Sequence, residues 1–327
     1  ACGGCALGSA VMHFGTTPQG HDVEKVTIAA GDLTASILTW GAVLHDVRVA
    51  NVPYNLTRGA GDLAAYGGEW RYHGGIIGPI ANRIGNARVK IGGMMHELER
   101  NQDGRVHLHS GKDASHAQVW RIVKQSADSV RLQLTLPDGM CGLPGHRVIT
   151  ATYTVRAPAT LTLQIDAVTD ADTLMNFAQH GYWNMDGSDD WSGHRLRIAA
   201  DHYLPTDADA VPTGEIADVA GTMMDLREGP QISRASHSFD HNFCLSAAQG
   251  RLRDVLWFTG KRGVQMVMAT TEPGLQVFDG HTAPANFNAL AFEAQGWPDA
   301  PNHRGFPSIK VRAGETYAQT TTWSFTA

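Results

Sequence analysis

Short runs in which apolar and polar residues alternate dominate this chain, and such runs are typical of strands with one buried face. Clear examples are residues 130–136, 149–155, 161–167 and 321–325. More than a dozen runs of this kind occur, and no long amphipathic helix stands out. The sequence of residues 61–69 predicts one short helical turn. The 36 glycines and 14 prolines punctuate the runs, as expected for hairpin connections.

No low-complexity linker and no fixed-period repeat divides the chain. A chain of 327 residues built from strands is compatible with one large β domain, because sandwiches often run past about 200 residues. We therefore predict an all-β fold, a large antiparallel β-sandwich. It forms a single domain over residues 21–327, preceded by a flexible, glycine-rich segment over residues 1–20.

The composition of the chain limits the classes of binding partner and the cellular compartment that we expect. The net charge of −6 and the absence of Lys/Arg runs argue against nucleic acid and against an anionic membrane. No apolar run approaches the roughly 20 residues of a membrane-spanning helix, and the first residues lack signal-peptide features. Four cysteines do not make a disulfide framework, which fits a reducing compartment and predicts a cytoplasmic protein.

Cys2 and Cys5 form a C-x-x-C without a second pair to complete a zinc site. We interpret them as part of the flexible segment, with a metal or redox role as the alternative. Sixteen histidines keep metal and acid/base hypotheses open.

The strongest candidate for chemistry lies in residues 289–307, ALAFEAQGWPDAPNHRGFP. Alternation places Leu290 and Phe292 on one face of a strand and Glu293 on the other, and a loop rich in turn formers follows. A carboxylate on a rigid strand suits a general base, which must be held within about 3 Å of the proton it removes. The alternative is a solvated strand glutamate, since exposed acids are common.

The pattern E-x-Q-x-x-P-D-x-P-N followed by F-P is similar to the C-terminal signature of the aldose 1-epimerases (galactose mutarotases). The resemblance implies a galactose mutarotase-like supersandwich, with Glu293 as the catalytic base. Five motifs in the family's order extend the resemblance over roughly residues 20–327.

Residues 175–185, MNFAQHGYWNM, resemble the family pattern N-x-T-N-H-x-Y-F-N, in which the histidine is the general acid. The resemblance therefore assigns this role to His180, whose side-chain type has an unperturbed pKa of about 6.5. A buried core histidine is the alternative. Alternation would place Asn176, His180 and Tyr182 on one face. Trp183 stands where the family has Phe, and we expect it to be available for apolar contact with a sugar ring.

Residues 74–93 resemble the motif G-R-x-A-N-R-I-x, although Pro79 stands where the first Arg usually is. The resemblance carries over Asn82 and Arg83 as substrate-binding residues. A guanidinium offers a rigid fork of donors that can hold a pair of hydroxyl groups. The alternative for Arg83 is a surface arginine that caps a turn.

In residues 101–111, NQDGRVHLHSG, alternation places His107 and His109 on one strand face. Two such histidines could be metal ligands if further ligands joined them. The family pattern N-x-L-H-G-G instead matches His109 as a substrate-side histidine. Ser110 replaces the first Gly, and the Gly-Phe that usually follows is missing from residues 112–120, which leaves the sugar preference open.

Two further motifs supply candidate sugar ligands. Residues 238–245 match G-F-D-H-x-F-x-L with Ser for Gly, and residues 270–280 match T-x-x-P-G-x-Q-x-Y. Asp240 would accept hydrogen bonds from sugar hydroxyls, with an Asx turn as the alternative. Gln276 would read a hydroxyl group from a strand, with an ordinary polar strand position as the alternative.

The resemblance implies an aldose 1-epimerase that needs no metal and no cofactor. Glu293 would take the proton of the anomeric hydroxyl, and His180 would protonate the ring oxygen, so that the ring opens and recloses on the other face. His109 and Arg83 would support this step. The partner would be a small monosaccharide, without nucleic acid or membrane, and the protein a monomer or homodimer.

Three alternatives remain. A hexose-6-phosphate 1-epimerase would need a basic cluster, and none lies near these motifs. A non-catalytic carbohydrate-binding sandwich would hold sugar without turnover. A metalloenzyme would use His107 and His109.

Overall fold

Strands make up nearly all the regular structure in the computed structural model, which describes residues 10–327. In the first part of the chain they are β1 (Ala10–Thr16), β2 (Asp22–Ala30), β3 (Leu33–Leu38), β4 (Leu44–Val49), β5 (Ile76–Ile77), β6 (Arg83–Ile84), β7 (Arg88–Ile91), β8 (Met94–Glu97) and β9 (His107–Leu108). The middle part contains β10 (Arg121–Gln125), β11 (Ser129–Leu136), β12 (Arg147–Arg156), β13 (Thr160–Thr169), β14 (Thr173–Leu174), β15 (Ala178–Gln179), β16 (Tyr182–Trp183), β17 (Arg195–Ile198), β18 (His202–Tyr203) and β19 (Ala217–Asp218). The last part contains β20 (Asp240–Cys244), β21 (Arg253–Thr259), β22 (Gln265–Thr270), β23 (Gly274–Phe278), β24 (Leu290–Gln295), β25 (Lys310–Val311) and β26 (Thr316–Thr326).

Helical structure is minor. The helix α1 (Leu63–Gly67) lies inside the predicted range, and the Asp62 carboxylate caps it by accepting a hydrogen bond from the Ala65 N–H (2.9 Å). Four 3₁₀ segments occupy Gly85–Ala87, Ser115–Ala117, Met140–Gly142 and Ala300–Asn302. None of the helices in residues 10–327 is both long enough and apolar enough to span a membrane.

Three large sheets form the body of the protein. The eight-stranded sheet has the order β10-β11-β12-β13-β26-β22-β21-β17, and the six-stranded sheet has the order β16-β24-β23-β20-β18-β19. A four-stranded sheet, β1-β2-β3-β4, packs against the eight-stranded sheet. The ladders within these sheets are antiparallel, so the prediction of an all-β antiparallel sandwich is confirmed.

The main apolar core joins these sheets. It contains Ile28 of the four-stranded sheet, Leu163 of the eight-stranded sheet and Phe292 of the six-stranded sheet, each almost fully buried. The alternating runs explain this core, because β13 buries every second residue along most of its length. Trp183 and Trp323 approach with ring centroids 5.9 Å apart and tie the six-stranded sheet to the eight-stranded sheet.

The start of the described chain differs from the prediction. Residues 10–16, which we expected within a flexible segment, form β1 and pair with β2 from Ala10 opposite Thr27 to Thr16 opposite Asp22. Pairing gives these backbone groups hydrogen-bond partners, which fixes the segment in the sheet. Cys2 and Cys5 lie outside the described residues.

Strand β24 also departs from its predicted environment, because all six of its residues are buried. It lies inside the six-stranded sheet between β16 and β23. One face carries Phe292 into the core, and the other carries Glu293, which is only 2% exposed. The interpretation of Glu293 as a solvated strand glutamate is therefore wrong.

The contact between the sheets generates a stability prediction. We expect Trp323→Ala to lower the free energy of unfolding by about 3–5 kcal/mol, because it removes a fully buried indole and leaves a cavity at the sheet junction. Urea unfolding followed by circular dichroism measures this. Val123→Ala, at a position 38% exposed on β10, is the control and should change stability by less than about 1 kcal/mol. Equal losses in the two variants would contradict the role of Trp323.

Candidate active site

Strand register places three of the predicted site residues on one sheet face. Glu293 of β24 is directly opposite Gln276 of β23, and Gln276 is directly opposite Asn242 of β20. Residues directly opposite each other point to the same face, as do residues two apart on one strand. Asp240 therefore joins this face, and its Oδ1 accepts a hydrogen bond from Gln276 Nε2 (2.7 Å).

Tyr182 extends the same face at its far edge. It belongs to β16 and is paired with Ala291, two residues before Glu293 on β24. Because side chains alternate along each strand, one face of the sheet carries a row of four side chains: Tyr182, Glu293, Gln276 and Asp240.

His180 reaches this row from the irregular segment just before β16. Its backbone is held on both sides, because His180 N–H donates to Gly75 O (2.9 Å) and His180 O accepts from Gly74 N–H (2.8 Å). Gly74 has φ of +70°, and a Cβ there would lie 2.4 Å from Leu44 O. Only glycine fits this position, so the backbone that aims His180 depends on it.

His180 and Glu293 form a buried pair. His180 Nε2 lies 3.4 Å from Glu293 Oε1, and the two side chains are 5% and 2% exposed. Burial, reinforced by Asp240, raises the pKa of Glu293 to about 8, while burial lowers the pKa of His180 to about 4. Burial disfavours the charged form of both groups. Near neutral pH the pair therefore holds one proton, which rests on Glu293 in the free site.

His109 lies beside this pair, with its ring centroid 5.4 Å from that of His180. Its Nδ1 accepts a hydrogen bond from the Asn82 backbone N–H (3.0 Å), and burial lowers its pKa well below the ordinary value. A neutral imidazole that accepts at Nδ1 carries its proton at Nε2. His109 therefore presents an N–H donor towards the site.

The Nε2-protonated tautomer of His109 affects whether the site can bind a metal ion. Ligand atoms of His109, His180 and Glu293 lie within 4.8 Å of one another, which would suit a two-histidine, one-carboxylate site. A metal needs the lone pair of an unprotonated nitrogen, and the proton on His109 Nε2 blocks it. The three residues fit a hydrogen-bonding site better than a metal centre.

His107 does not join His109. Strand β9 ends at Leu108, and His109 has φ of +51°, so the predicted alternation stops between the two histidines. His107 is fully buried, and its Nδ1 bonds to Glu99 O (2.8 Å). The prediction that the two histidines share a strand face is wrong.

Arg83 and Asp240 form an ion pair at the open side of the site. Arg83 Nη2 lies 3.2 Å from Asp240 Oδ2, and the side chains are 15% and 23% exposed. Arg83 Nε donates to Gln102 Oε1 (2.8 Å), and Gln276 donates to the same Asp240 carboxylate. Asp240 begins β20 and pairs with Phe278, so it does not form an Asx turn.

Asn82 acts through its backbone. It is buried with φ of +64°, and its N–H and C=O both bond to His109, the latter accepting from His109 N–H (2.9 Å). Its side-chain Oδ1 accepts from the Arg83 N–H (3.0 Å). These contacts make Asn82 a positioning residue for His109.

Sequence reasoning misplaced two residues of the 175–185 segment. Trp183 is fully buried in the core against Trp323, so it cannot contact a sugar. Asn176 clamps the end of β24: its Oδ1 accepts from Gly296 N–H (2.7 Å), and its Nδ2 donates to Gly296 O (3.2 Å). The segment contains two separate two-residue strands rather than one strand, so alternation fails for Asn176, although His180 and Tyr182 lie together as it predicts.

Sequence reasoning also missed the aromatic residues around the pair. Tyr182 stacks on His180, with ring centroids 5.1 Å apart and 19° between the ring planes. His73 also stacks on Tyr182, with ring centroids 3.9 Å apart and 10° between the planes. Tyr72 stacks more loosely on His180 at 6.0 Å and lies 4.8 Å from His109. Tyr182 was visible inside the His180 motif, whereas no signal pointed to Tyr72 or to Gln102.

Comparison with known proteins shows the family to which the chain belongs. The model of the family described as "Aldose 1-epimerase" matches residues 24–324. The chain belongs to the aldose 1-epimerase family. A galactose mutarotase from Rattus norvegicus is 30% identical over 334 residues, covering 95% of this chain and 97% of the relative. The aldose 1-epimerase of Escherichia coli K12 is also 30% identical, with the same coverage.

Solved structures agree with this membership. A GalM/aldose epimerase homologue from C. elegans superposes with a TM-score of 0.86 at 26% identity, covering 92% of this chain and 98% of the other. A galactose 1-epimerase from Lactobacillus acidophilus superposes with a TM-score of 0.84 at 26% identity, covering 97% and 98%. The supersandwich of the aldose 1-epimerase family is therefore the fold of this chain.

The burial of Glu293 generates a prediction about stability. Burial raises the pKa of Glu293 from its ordinary value of 4.5 to about 8, so the folded state retains a proton that the unfolded state releases between these values. The protein therefore loses stability as the pH rises from about 4.5 through about 8. We expect Glu293→Gln to raise the melting temperature relative to wild type at pH 9, and much less at pH 5.

Differential scanning calorimetry at the two pH values measures this effect. Glu228→Gln, at an exposed position, is the matched control and should show no pH-dependent gain. A Glu293→Gln variant no more stable than wild type at pH 9 would contradict the cost of burying this carboxylate.

Proposed function

We propose that this chain is a cofactor-independent aldose 1-epimerase that interconverts the α and β anomers of a free monosaccharide. The observation that carries the proposal is the buried His180–Glu293 pair, facing a set of hydroxyl-binding side chains in a member of this family. Anomer exchange needs one proton removed from the anomeric oxygen O1 and one delivered to the ring oxygen O5. A pair that holds one proton can do both.

The position of His109 supports an assignment of the two roles. Its Nε2–H is a fixed donor beside His180, and a donor there stabilises the ring oxygen as charge develops on it. We place O5 next to His180 and His109, and O1 next to Glu293. Glu293 is then the base and His180 the acid.

Sugar binding must move the resident proton, because burial keeps it on Glu293 in the free site. Arg83 favours the charged form of Glu293, and a sugar hydroxyl that donates to the carboxylate adds to this effect. The proton passes to His180 across the 3.4 Å between Oε1 and Nε2. Glu293 is then free to accept a proton.

Protons and bonds are conserved in the ring-opening step. Glu293 takes the proton of O1, the C1–O1 double bond forms, the C1–O5 bond breaks, and protonated His180 gives its proton to O5. The open aldehyde rotates about C1–C2. On reclosure His180 recovers the proton from O5 and Glu293 returns its proton to O1, which yields the other anomer and restores the pair.

The remaining side chains hold the sugar. Asp240 accepts hydrogen bonds from Arg83 and Gln276, so its oxygens are oriented before a sugar arrives. A preorganised acceptor loses little freedom on binding. Phe278 is partly exposed beside Asp240 and takes the apolar role that we first expected of Trp183.

Substitution of the pair tests the roles. We expect Glu293→Gln and His180→Asn each to lower kcat for anomer exchange by at least about 100-fold, the usual contribution of a general acid or base. KM should change less, because the hydroxyl-binding side chains remain. Polarimetry of freshly dissolved α-D-glucose and α-D-galactose, corrected for the spontaneous rate, measures kcat.

Glu228→Gln and His202→Asn make the same substitutions at exposed positions and serve as controls that should retain wild-type rates. Near-wild-type exchange by Glu293→Gln would remove Glu293 as the base. Binding without exchange by the wild-type protein would instead favour a carbohydrate-binding sandwich.

The shared proton predicts the pH dependence. Below about pH 4 the pair holds two protons and lacks a base, and above about pH 8 it holds none and lacks an acid. We expect kcat/KM to form a plateau between these values and to fall on both sides, with the two limits belonging to the pair. Equilibrium NMR exchange measurements from pH 3.5 to 10 give the profile. A constant kcat/KM from pH 8 to pH 10 would contradict the shared-proton pair.

A further inference from the structure

A second cleft lies beside the candidate active site. It has a volume of about 320 Å³ and is lined in part by Trp40, Arg71, Tyr72, Lys112 and His116. The Tyr72 ring centroid lies 4.8 Å from that of His109 and 5.2 Å from that of His116. Tyr72 therefore separates the buried pair on one side from this cleft on the other.

The polar groups that remain free in the cleft are mainly donors. Arg71 and Lys112 are exposed, and neither has a carboxylate within 4.0 Å among residues 10–327. Glu99 is the only acid among the described lining residues, and its Oε2 already accepts from the Lys112 backbone N–H (2.9 Å).

These donors suit an oxyanion better than a neutral sugar unit. Two cations, Arg71 and Lys112, outnumber the one carboxylate, Glu99, in this small cleft of a chain whose net charge is −6. The Arg71 guanidinium lies 5.0 Å from the centre of the Tyr72 ring, where it covers an aromatic face that a neutral pyranose would need for stacking. Guanidinium and ammonium groups bind carboxylates and phosphates through charge-assisted hydrogen bonds.

If the proposed function holds, the bonding of the sugar ring indicates which substituent of a bound sugar points towards this cleft. The ring oxygen O5 is bonded to C1 and C5, and C5 carries C6. With O1 at Glu293 and O5 at His180 and His109, a substituent on C6 leaves the ring on the side away from Glu293. Tyr72, which lines the cleft, lies next to His109, with 4.8 Å between the ring centroids.

We propose that the cleft binds an anionic group on C6 of the aldose, so that the preferred substrate is a hexose with an oxyanion there. The carboxylate of a hexuronic acid and the phosphate of a hexose 6-phosphate share this chemistry. Lys112 and His116 lie on the segment that departs from the family pattern, so the departure coincides with the wall of the cleft. No basic cluster is apparent in the sequence because Arg71 and Lys112 are far apart along the chain.

The experiment compares kcat/KM for anomer exchange among D-glucose, D-glucuronate and D-glucose 6-phosphate, with the galactose series in parallel. Exchange-type NMR at anomeric equilibrium suits all of them, because it needs no single-anomer preparation. We expect at least one anionic sugar to exceed its neutral parent by about tenfold, the effect of one good charge-assisted contact. The advantage should shrink in 0.5 M NaCl, because salt screens exposed charges.

Variants identify the source of the preference. Arg71→Ala/Lys112→Ala should reduce the ratio of kcat/KM for the anionic sugar over its neutral parent by about tenfold or more. Lys90→Ala/Lys124→Ala removes the same charge at exposed strand positions and should leave the ratio unchanged. Both pairs are exposed, and circular dichroism confirms that each variant is folded.

Each outcome is decisive. A preference for the uronate alone assigns the cleft to carboxylates, and a preference for the phosphate alone assigns it to phosphate esters. Equal use of neutral and anionic sugars, or a ratio unaffected by Arg71→Ala/Lys112→Ala, overturns the C6 proposal while the epimerase function stands. Failure to exchange any of the sugars overturns the epimerase function itself.

Discussion

The exclusion of water from His180 and Glu293 is the constraint on which the rest of the site depends. In water an imidazole and a carboxylate would each ionise independently of the other. Here the six-stranded sheet, the core behind it and the Gly74–Gly75 segment in front leave the two side chains 5% and 2% exposed. Neither charge is well solvated, so the two groups share one proton. The sheet therefore contributes to the chemistry as well as to the fold.

Much of the fold could be read from local pattern, because alternation reports burial wherever a strand is continuous and has one solvated face. Residues 130–136 and 161–167 meet both conditions, and both form the predicted strands β11 and β13. The segment around His180 meets neither. Its strands are two residues long and buried on both sides, so the face of Asn176 was predicted wrongly, and Trp183 lies in the core where we expected contact with a sugar.

The identities of the candidate site residues were more predictable than their contacts. Arg83, Asp240 and Gln276 were each expected to meet a sugar separately, but the structure bonds them to one another. Such a network depends on residues separated by more than 150 positions, which no local pattern reports. Gln102 belongs to the same network through Arg83, and it escaped notice because an isolated glutamine carries no signal of its own. Motif spacing identifies members of a site, and tertiary contact decides what each one is free to do.

The Asn82 backbone has a consequence that reaches the choice of ligand. Its N–H occupies one nitrogen of His109, so the other nitrogen can only donate. With the ring oxygen in its proposed place beside His109, a carbocyclic analogue, in which a methylene replaces that oxygen, would bury the N–H against carbon with nothing to receive it. An unmet buried donor costs about 1–3 kcal/mol, so in this proposed placement one backbone amide would make the pocket discriminate between an ether oxygen and a hydrocarbon in the same ring.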